Sequence, residues 1–166
     1  MHIMTIILRN KDTLEVDEFV FKCCVGKNGL SFNKKEGDKK TTKGVFNLGH
    51  LYFRVDKIKK IKTNLKLIKI NKNMGWCNDY KSKNYNKLIK TNLKEKHEKL
   101  YRKDYKYDLF IPILYNYKNP IPNNGSCIFL HLTNNYNPTA GCIALKKKDF
   151  IILAKLINPR TKIQIL

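Results

Sequence analysis

The sequence predicts a β-rich mixed α+β fold, a curved sheet or β-sandwich with a helix packed on it near the carboxyl end. Most of the chain consists of short runs of alternating apolar and polar residues, separated by Gly, Asn, Asp and Pro, which is typical of strands joined by turns. One segment, 146–157, instead spaces its apolar residues for one face of a helix, and Asn158-Pro159 ends it. With 166 residues, 42% of them hydrophobic, we expect one domain over residues 1–166.

The first half of the chain predicts strands separated by charged loops. Thr5–Arg9 and Leu14–Val25 are expected to pair around a turn at residues 10–12. After a charged loop, Thr41 begins a strand that is expected to run on to Val55. The lysine-rich segment Ile58–Ile70 is interpreted as a helix turning into a strand; its lysines either bind phosphate groups or simply face the solvent.

The second half begins with a long polar and aromatic loop over residues 73–86, which holds the only Trp of the chain. Thr91–Lys103 is expected to form a short helix. Tyr107–Leu114 is expected to be a strand, and so is Lys162–Leu166, which follows the helix of residues 146–157.

A histidine and a cysteine flank a short polar loop. The apolar alternation over residues 128–133 predicts a strand on which His131 and Leu130 face opposite sides. The chain returns after residues 134–138, so Cys142 can come to lie beside His131. A neighbouring imidazole lowers the pKa of a thiol and accepts its proton, as a cysteine nucleophile requires. The same spacing is also compatible with a buried structural cysteine and a packed histidine.

The residues directly before Cys142 are small. Ala140 and Gly141 would allow backbone N–H groups and a substrate carbonyl to approach the sulfur. Such N–H groups can form an oxyanion hole. Thr139 is expected to shape this turn.

These residues carry a resemblance to a known family. His131, a loop and then Thr139-Ala140-Gly141-Cys142 resemble the active-site motif of the L,D-transpeptidase catalytic domain (YkuD-like) family, in the form found in its short proteobacterial members. A second family signature, Gly-Asp-x-x-Thr-Pro-x-Gly-x-Phe, is similar to residues 37–46, with Thr42 where Pro is usual.

The resemblance implies a bacterial cysteine enzyme that acts on peptidoglycan stem peptides, with an L,D-transpeptidase-like fold. It implies Cys142 as nucleophile, His131 as base and a backbone carbonyl as the partner of the second imidazole nitrogen. The thioester would be resolved by an amine acceptor, which forms a cross-link, or by water, which makes the enzyme an L,D-carboxypeptidase or endopeptidase. The substrate implies the periplasm or cell envelope, although no signal peptide is visible in the residues given.

Four further residues are candidates for substrate binding. The segment around Trp76 is similar to the corresponding segment of the short subgroup, where it would form one wall of the substrate groove; alternatively it is a surface loop held by Trp76. His97 is either a second titrating group near the site or a surface histidine. Tyr107 and Asn116 complete the set.

The charge of +21, from 34 Lys and Arg against 13 Asp and Glu, favours polyanionic partners. An AT-rich genome explains the same excess of Lys, Asn and Ile. No nucleic-acid-binding signature accompanies it, so nucleic acid is only a distant alternative to carboxylate-bearing peptidoglycan. We expect a monomer without a transmembrane segment.

The five cysteines form neither a CxxC pair nor a Cys/His cluster, so we expect no metal and no cofactor.

Overall fold

The computed structural model describes residues 3–166 and contains fifteen strands and one α-helix in this range. The strands of the first half are β1 (Thr5–Leu8), β2 (Thr13–Val16), β3 (Phe19–Cys24), β4 (Leu30–Ser31), β5 (Thr41–Thr42), β6 (Gly44–Asn47), β7 (Leu51–Phe53) and β8 (Leu67–Lys69). They are followed by β9 (Met74–Cys77), β10 (Leu88–Lys90), β11 (His97–Lys99), β12 (Leu109–Pro112), β13 (Phe129–Leu132), β14 (Ile143–Leu145), α1 (Lys147–Leu156) and β15 (Lys162–Ile165).

Ten strands form one curled sheet in the order β6-β15-β1-β2-β3-β14-β13-β12-β7-β8. Strand β13 lies between its parallel partner β14 and its antiparallel partner β12, and β14 also pairs with β3. Strands β13 and β14 are therefore both in the interior of the sheet. A second sheet, β10-β9-β11, and the short pair β4-β5 complete the architecture. The predicted β-rich fold with one helix after Cys142 is therefore confirmed.

Helix α1 covers the sheet with one apolar stripe. Phe150, Leu153, Ala154 and Ile157 follow the spacing of a single helical face, and all four are fully buried. Burying a side chain such as Phe150 contributes about 1.5–3 kcal/mol to the free energy of unfolding. The helix ends at Leu156, and Pro159 disfavours any continuation.

A second core cluster is aromatic and surrounds the predicted nucleophile. Trp76 on β9, Phe110 on β12 and Phe129 on β13 pack there with Cys142. The rings of Trp76 and Phe129 meet edge to face, with centroids 5.3 Å apart. Cys142 thus lies at the boundary between an aromatic core and the surface.

The helix predicted over Thr91–Lys103 is wrong. His97–Lys99 form strand β11, and Glu98 lies opposite Trp76 of β9. The segment lacks an apolar stripe that a helix would bury, whereas β9 supplies hydrogen-bond partners and Leu100 enters the aromatic cluster. The prediction of a loop over residues 73–86 is wrong at its start, because Met74–Cys77 form β9, the central strand of the small sheet.

Three other predicted elements also differ. Leu14–Val25 is two antiparallel strands rather than one, because the chain turns at Asp17, whose φ is 48°. The strand expected from Thr41 to Val55 is divided into β5, β6 and β7. Ile58–Ile70 contains no helix; its apolar residues Ile58, Leu65 and Ile70 are buried from an irregular segment that ends in β8.

Candidate active site

His131 and Cys142 lie on neighbouring parallel segments of the large sheet. The register pairs Leu130 with Ile143 and His131 with Ala144, so the side chains of His131 and Cys142 project from the same face. Both line one cavity of ≈ 210 Å³. The two residues are 7% and 8% exposed, respectively, so their chemistry takes place largely out of water.

The imidazole of His131 is held by the backbone. Its Nδ1 lies 2.9 Å from the Leu132 carbonyl oxygen. A carbonyl can only accept, so Nδ1 carries the hydrogen and Nε2 is left as the acceptor. Burial lowers the pKa of His131 to about 4, which keeps the ring neutral near pH 7. The ring of Tyr107 packs edge to face against it, with centroids 5.5 Å apart.

The thiol of Cys142 is bonded to backbone groups rather than to the imidazole. Its Sγ donates to the Cys127 carbonyl oxygen at 3.2 Å and accepts the Phe129 N–H at 3.4 Å. Burial raises the pKa of Cys142 to about 12. Thiol and imidazole are therefore both uncharged at neutral pH, and the pair is set up for proton transfer rather than as a resting ion pair.

A network of hydroxyl groups holds the turn before Cys142. The Thr139 hydroxyl donates to the Cys142 carbonyl at 2.6 Å and accepts the Gly141 N–H at 3.1 Å. The Thr41 hydroxyl donates to the Gly141 carbonyl at 2.8 Å. Gly141 has a φ of +139°, and a Cβ there would lie 2.9 Å from the Lys40 carbonyl oxygen. This position therefore requires glycine.

One backbone donor at Cys142 is unused. Among the hydrogen bonds of residues 3–166, none involves the Cys142 N–H, whereas the Gly141 N–H is occupied by Thr139. Ala140 is exposed at the mouth of the cavity. An oxyanion formed at this turn would thus meet the Cys142 N–H first.

Of the four expected substrate-binding residues, Tyr107 lines the cavity. Trp76 is buried in the aromatic cluster, its indole N–H donates to Asn86 at 2.9 Å, and it borders a different cavity of ≈ 350 Å³. His97 packs against Gly75, with Nδ1 2.8 Å from the Glu95 carbonyl oxygen. Asn116 uses its side chain to hold the loop that runs to Gly125.

The sequence analysis missed the charged residues of the cavity. Glu98, Arg102 and Lys106 line it together with His131 and Cys142. Glu98 accepts the Tyr107 hydroxyl at 2.9 Å. The only available signal was its position beside His97, and the predicted helix concealed that Glu98 lies on a strand facing the site.

A buried ion pair lies behind the same turn. Lys34, whose side chain is 3% exposed, donates to Asp38 at 2.5 Å. Its Nζ would lie 3.7 Å from a Cβ at Gly141, and its charge lowers the pKa of Cys142 against the larger effect of burial. Asp38 is the acidic residue of the second family signature, so this segment packs behind the Thr139–Cys142 turn through Lys34.

Within residues 3–166, no group of His, Cys, Asp and Glu side chains has an arrangement that could hold a metal ion. All five cysteines are free thiols. In the described part of the chain, helix α1 is not long and apolar enough to cross a bilayer.

Comparison with known proteins identifies the family. The model of the L,D-transpeptidase catalytic domain (YkuD) matches residues 3–165, nearly the whole chain. No curated protein sequence matches the chain. The matched residues include the His131 strand, the Thr139–Cys142 turn and the second signature, and the chain belongs to the L,D-transpeptidase catalytic domain family.

Proposed function

We propose that residues 1–166 form one catalytic domain that cross-links peptidoglycan stem peptides, with Cys142 as the nucleophile. The observation that carries the proposal is that Cys142 and His131 share one cavity, where His131 keeps Nε2 available as a base. Membership of a cysteine-dependent enzyme family supports this assignment.

Acylation begins when the Cys142 thiol turns from the Cys127 carbonyl towards His131. Nε2 takes the thiol proton as the sulfur attacks the carbonyl carbon of a bond between an L-centre and a D-centre in the donor stem peptide. The Cys142 N–H holds the developing oxyanion. The imidazolium then protonates the leaving amine, the C–N bond breaks and a thioester remains on Cys142.

The thioester is resolved by an amine of a second stem peptide. The amine attacks the thioester carbon, His131 takes a proton from the nitrogen, and the departing sulfur recovers that proton. Water in place of the amine makes the same site an L,D-carboxypeptidase or endopeptidase. Both reactions place the protein at the cell envelope, with which the family is generally associated.

Intact-protein mass spectrometry after exposure to a carbapenem tests the nucleophile. A carbapenem contains a strained β-lactam ring. A reactive cysteine attacks its carbonyl carbon and the ring C–N bond breaks, so the native protein should gain the full mass of the drug. The Cys127→Ala variant is a matched control, because it removes a neighbouring thiol but keeps the carbonyl that holds Cys142. The adduct should persist in that variant and disappear in Cys142→Ala.

An adduct that survives in Cys142→Ala would contradict the assignment of the nucleophile. So would a native protein in which neither the carbapenem nor a small thiol reagent labels Cys142. Incubation with purified peptidoglycan, followed by analysis of the released fragments, then separates cross-linking from trimming.

A further inference from the structure

Glu98 is the carboxylate of the cysteine cavity. It lies on strand β11 of the small sheet and lines the cavity together with Cys142, and its side chain is 31% exposed. Oxygen Oε1 accepts the hydroxyl of Tyr107, which in turn packs against His131. Among residues 3–166, Oε2 has no hydrogen-bond partner. One oxygen is thus fixed inside the site while the other remains available to a ligand.

The charge of Glu98 is only partly compensated by its neighbours. Nη1 of Arg102 forms an ion pair with Oε1 at 3.4 Å, a long contact between side chains that are 30% and 31% exposed. The same guanidinium is already paired with Asp104, at 3.0 Å through Nε and at 2.6 Å through Nη2. Asp104 therefore shares the guanidinium that reaches Glu98, and Lys106 lines the cavity as a second cation. Glu98 is the only carboxylate among the described residues that line this cavity.

A negative charge in this position opposes the formation of the Cys142 thiolate. Glu98 is among the groups that raise the pKa of Cys142, after the larger effect of burial. A carboxylate that disfavours the thiolate would instead favour a step in which a positively charged group enters the cavity. The amine that resolves a thioester is such a group, because a primary amine arrives in water as an ammonium ion.

We propose that Glu98 binds the ammonium group of the acceptor that resolves the Cys142 thioester, and so favours aminolysis over hydrolysis. The inference rests on the proposed function, since it needs a thioester at Cys142. The ligand is a primary ammonium, which donates to the free Oε2 while Tyr107 holds Oε1. Water gains nothing from this charge, so Glu98 distinguishes the two nucleophiles.

The proton balance of the step assigns separate roles to Glu98 and His131. The ammonium, held at Oε2 of Glu98, loses one proton to the solvent and becomes a neutral amine. The amine nitrogen forms a bond to the thioester carbon, and Nε2 of His131 takes a second proton from it. The C–S bond breaks, and the sulfur takes that proton from the imidazolium. The products are an amide, the Cys142 thiol and one proton released to the solvent.

The test follows how fast a preformed acyl-enzyme is resolved by three nucleophiles in the Glu98→Gln variant. The full chain is acylated with a stem tetrapeptide that ends in a bond between an L-centre and a D-centre. The acyl mass is then followed in water alone, with meso-diaminopimelate and with hydroxylamine, which is uncharged near neutral pH. The amide oxygen of the Glu98→Gln variant can still accept the Tyr107 hydroxyl, so the substitution removes the charge and keeps the shape.

Glu98→Gln is expected to slow resolution by diaminopimelate about tenfold or more, the effect of losing a hydrogen bond to a charged group. Resolution by water and by hydroxylamine should change by less than about twofold. Glu95→Gln is the matched control: this carboxylate lies in the connection just before β11 but accepts from Ser82 and Asn84, outside the cavity. It should leave all three rates unchanged.

Equal slowing with all three nucleophiles would overturn the inference, because it would show a structural role for Glu98. An unchanged preference for diaminopimelate in Glu98→Gln would overturn it as well, while the proposed function would stand. A native protein that forms no acyl-enzyme with the tetrapeptide would instead overturn the proposed function, and the inference with it.

Discussion

Acidification should destabilise this protein through His131 before its carboxylates respond. The ring is buried and uncharged, its Nδ1 hydrogen bonds to a carbonyl, and burial lowers its pKa from 6.5 to about 4. In the unfolded chain the same imidazole takes up a proton below about pH 6.5. Acid therefore favours the unfolded state, and the stability due to the neutral ring is present above pH 6.5 and lost as the pH falls towards 4.

The size of the effect follows from the two pKa values. A separation of about 2.5 units corresponds to about 3 kcal/mol of unfolding free energy over the whole window. Between pH 7 and pH 5 the unfolded chain is largely protonated at this site and the folded chain is not, so about 2 kcal/mol is lost. With a urea dependence of about 2 kcal/mol/M, the unfolding midpoint should fall by about 1 M.

Urea unfolding of the native protein and of His131→Asn at pH 7 and at pH 5 measures the loss of unfolding free energy that is due to His131. The Asn amide can still donate to the Leu132 carbonyl but does not titrate. Carboxylates with lowered pKa values, such as Asp104 beside Arg102, act at lower pH and cancel in the comparison. If both proteins lose the same stability between the two pH values, His131 is not a buried neutral base and the proton transfer argued for the site fails.

Three further outcomes are expected. Burial raises the pKa of Cys142 to about 12, so the rate of its alkylation by iodoacetamide should rise about tenfold per pH unit from pH 7 to 9. Peptide mapping measures this rate at Cys142, and a plateau near neutral pH would contradict the raised pKa. Thr139→Val should lower the unfolding free energy by about 1–3 kcal/mol, because it leaves the Cys142 carbonyl and the Gly141 N–H without their partner. Thermal melts measure this loss, and an unchanged melting temperature would refute the role of the hydroxyl. Binding to isolated peptidoglycan in sedimentation assays should weaken from low to high ionic strength if the +21 charge drives it, and indifference to salt would exclude this attraction.

The elements that the sequence predicts best are those whose own residues carry the pattern. The stripe of Phe150, Leu153, Ala154 and Ile157 defines α1 without reference to the rest of the chain. Segment 91–103 has no such internal signal. This segment forms a strand because β9 provides backbone hydrogen-bond partners and because Leu100 packs in the aromatic cluster. Both contacts are with residues distant in sequence, so a local pattern does not predict them.

The same distinction holds within the candidate site. His131 and Cys142 are eleven positions apart and were found by motif and alternation, because a strand, a short loop and a returning strand bring them together locally. Lys34 approaches Gly141 from more than a hundred positions away, and no spacing rule connects them. The expected substrate-binding roles of Trp76, His97 and Asn116 stay predictions; their side chains are used in packing and loop contacts.

The residues that the sequence analysis missed are the ones that give the cavity its electrostatic character. Burial alone would make Cys142 and His131 a neutral and unselective pair, open to any nucleophile that fits. The small sheet changes this, because β11 brings Glu98 to the cavity, where it accepts the hydroxyl of Tyr107. In the proposed mechanism the large sheet supplies the reacting groups, and the small sheet supplies the charge that distinguishes an ammonium from water. If that division is correct, Glu98→Gln should alter the choice between an ammonium acceptor and water.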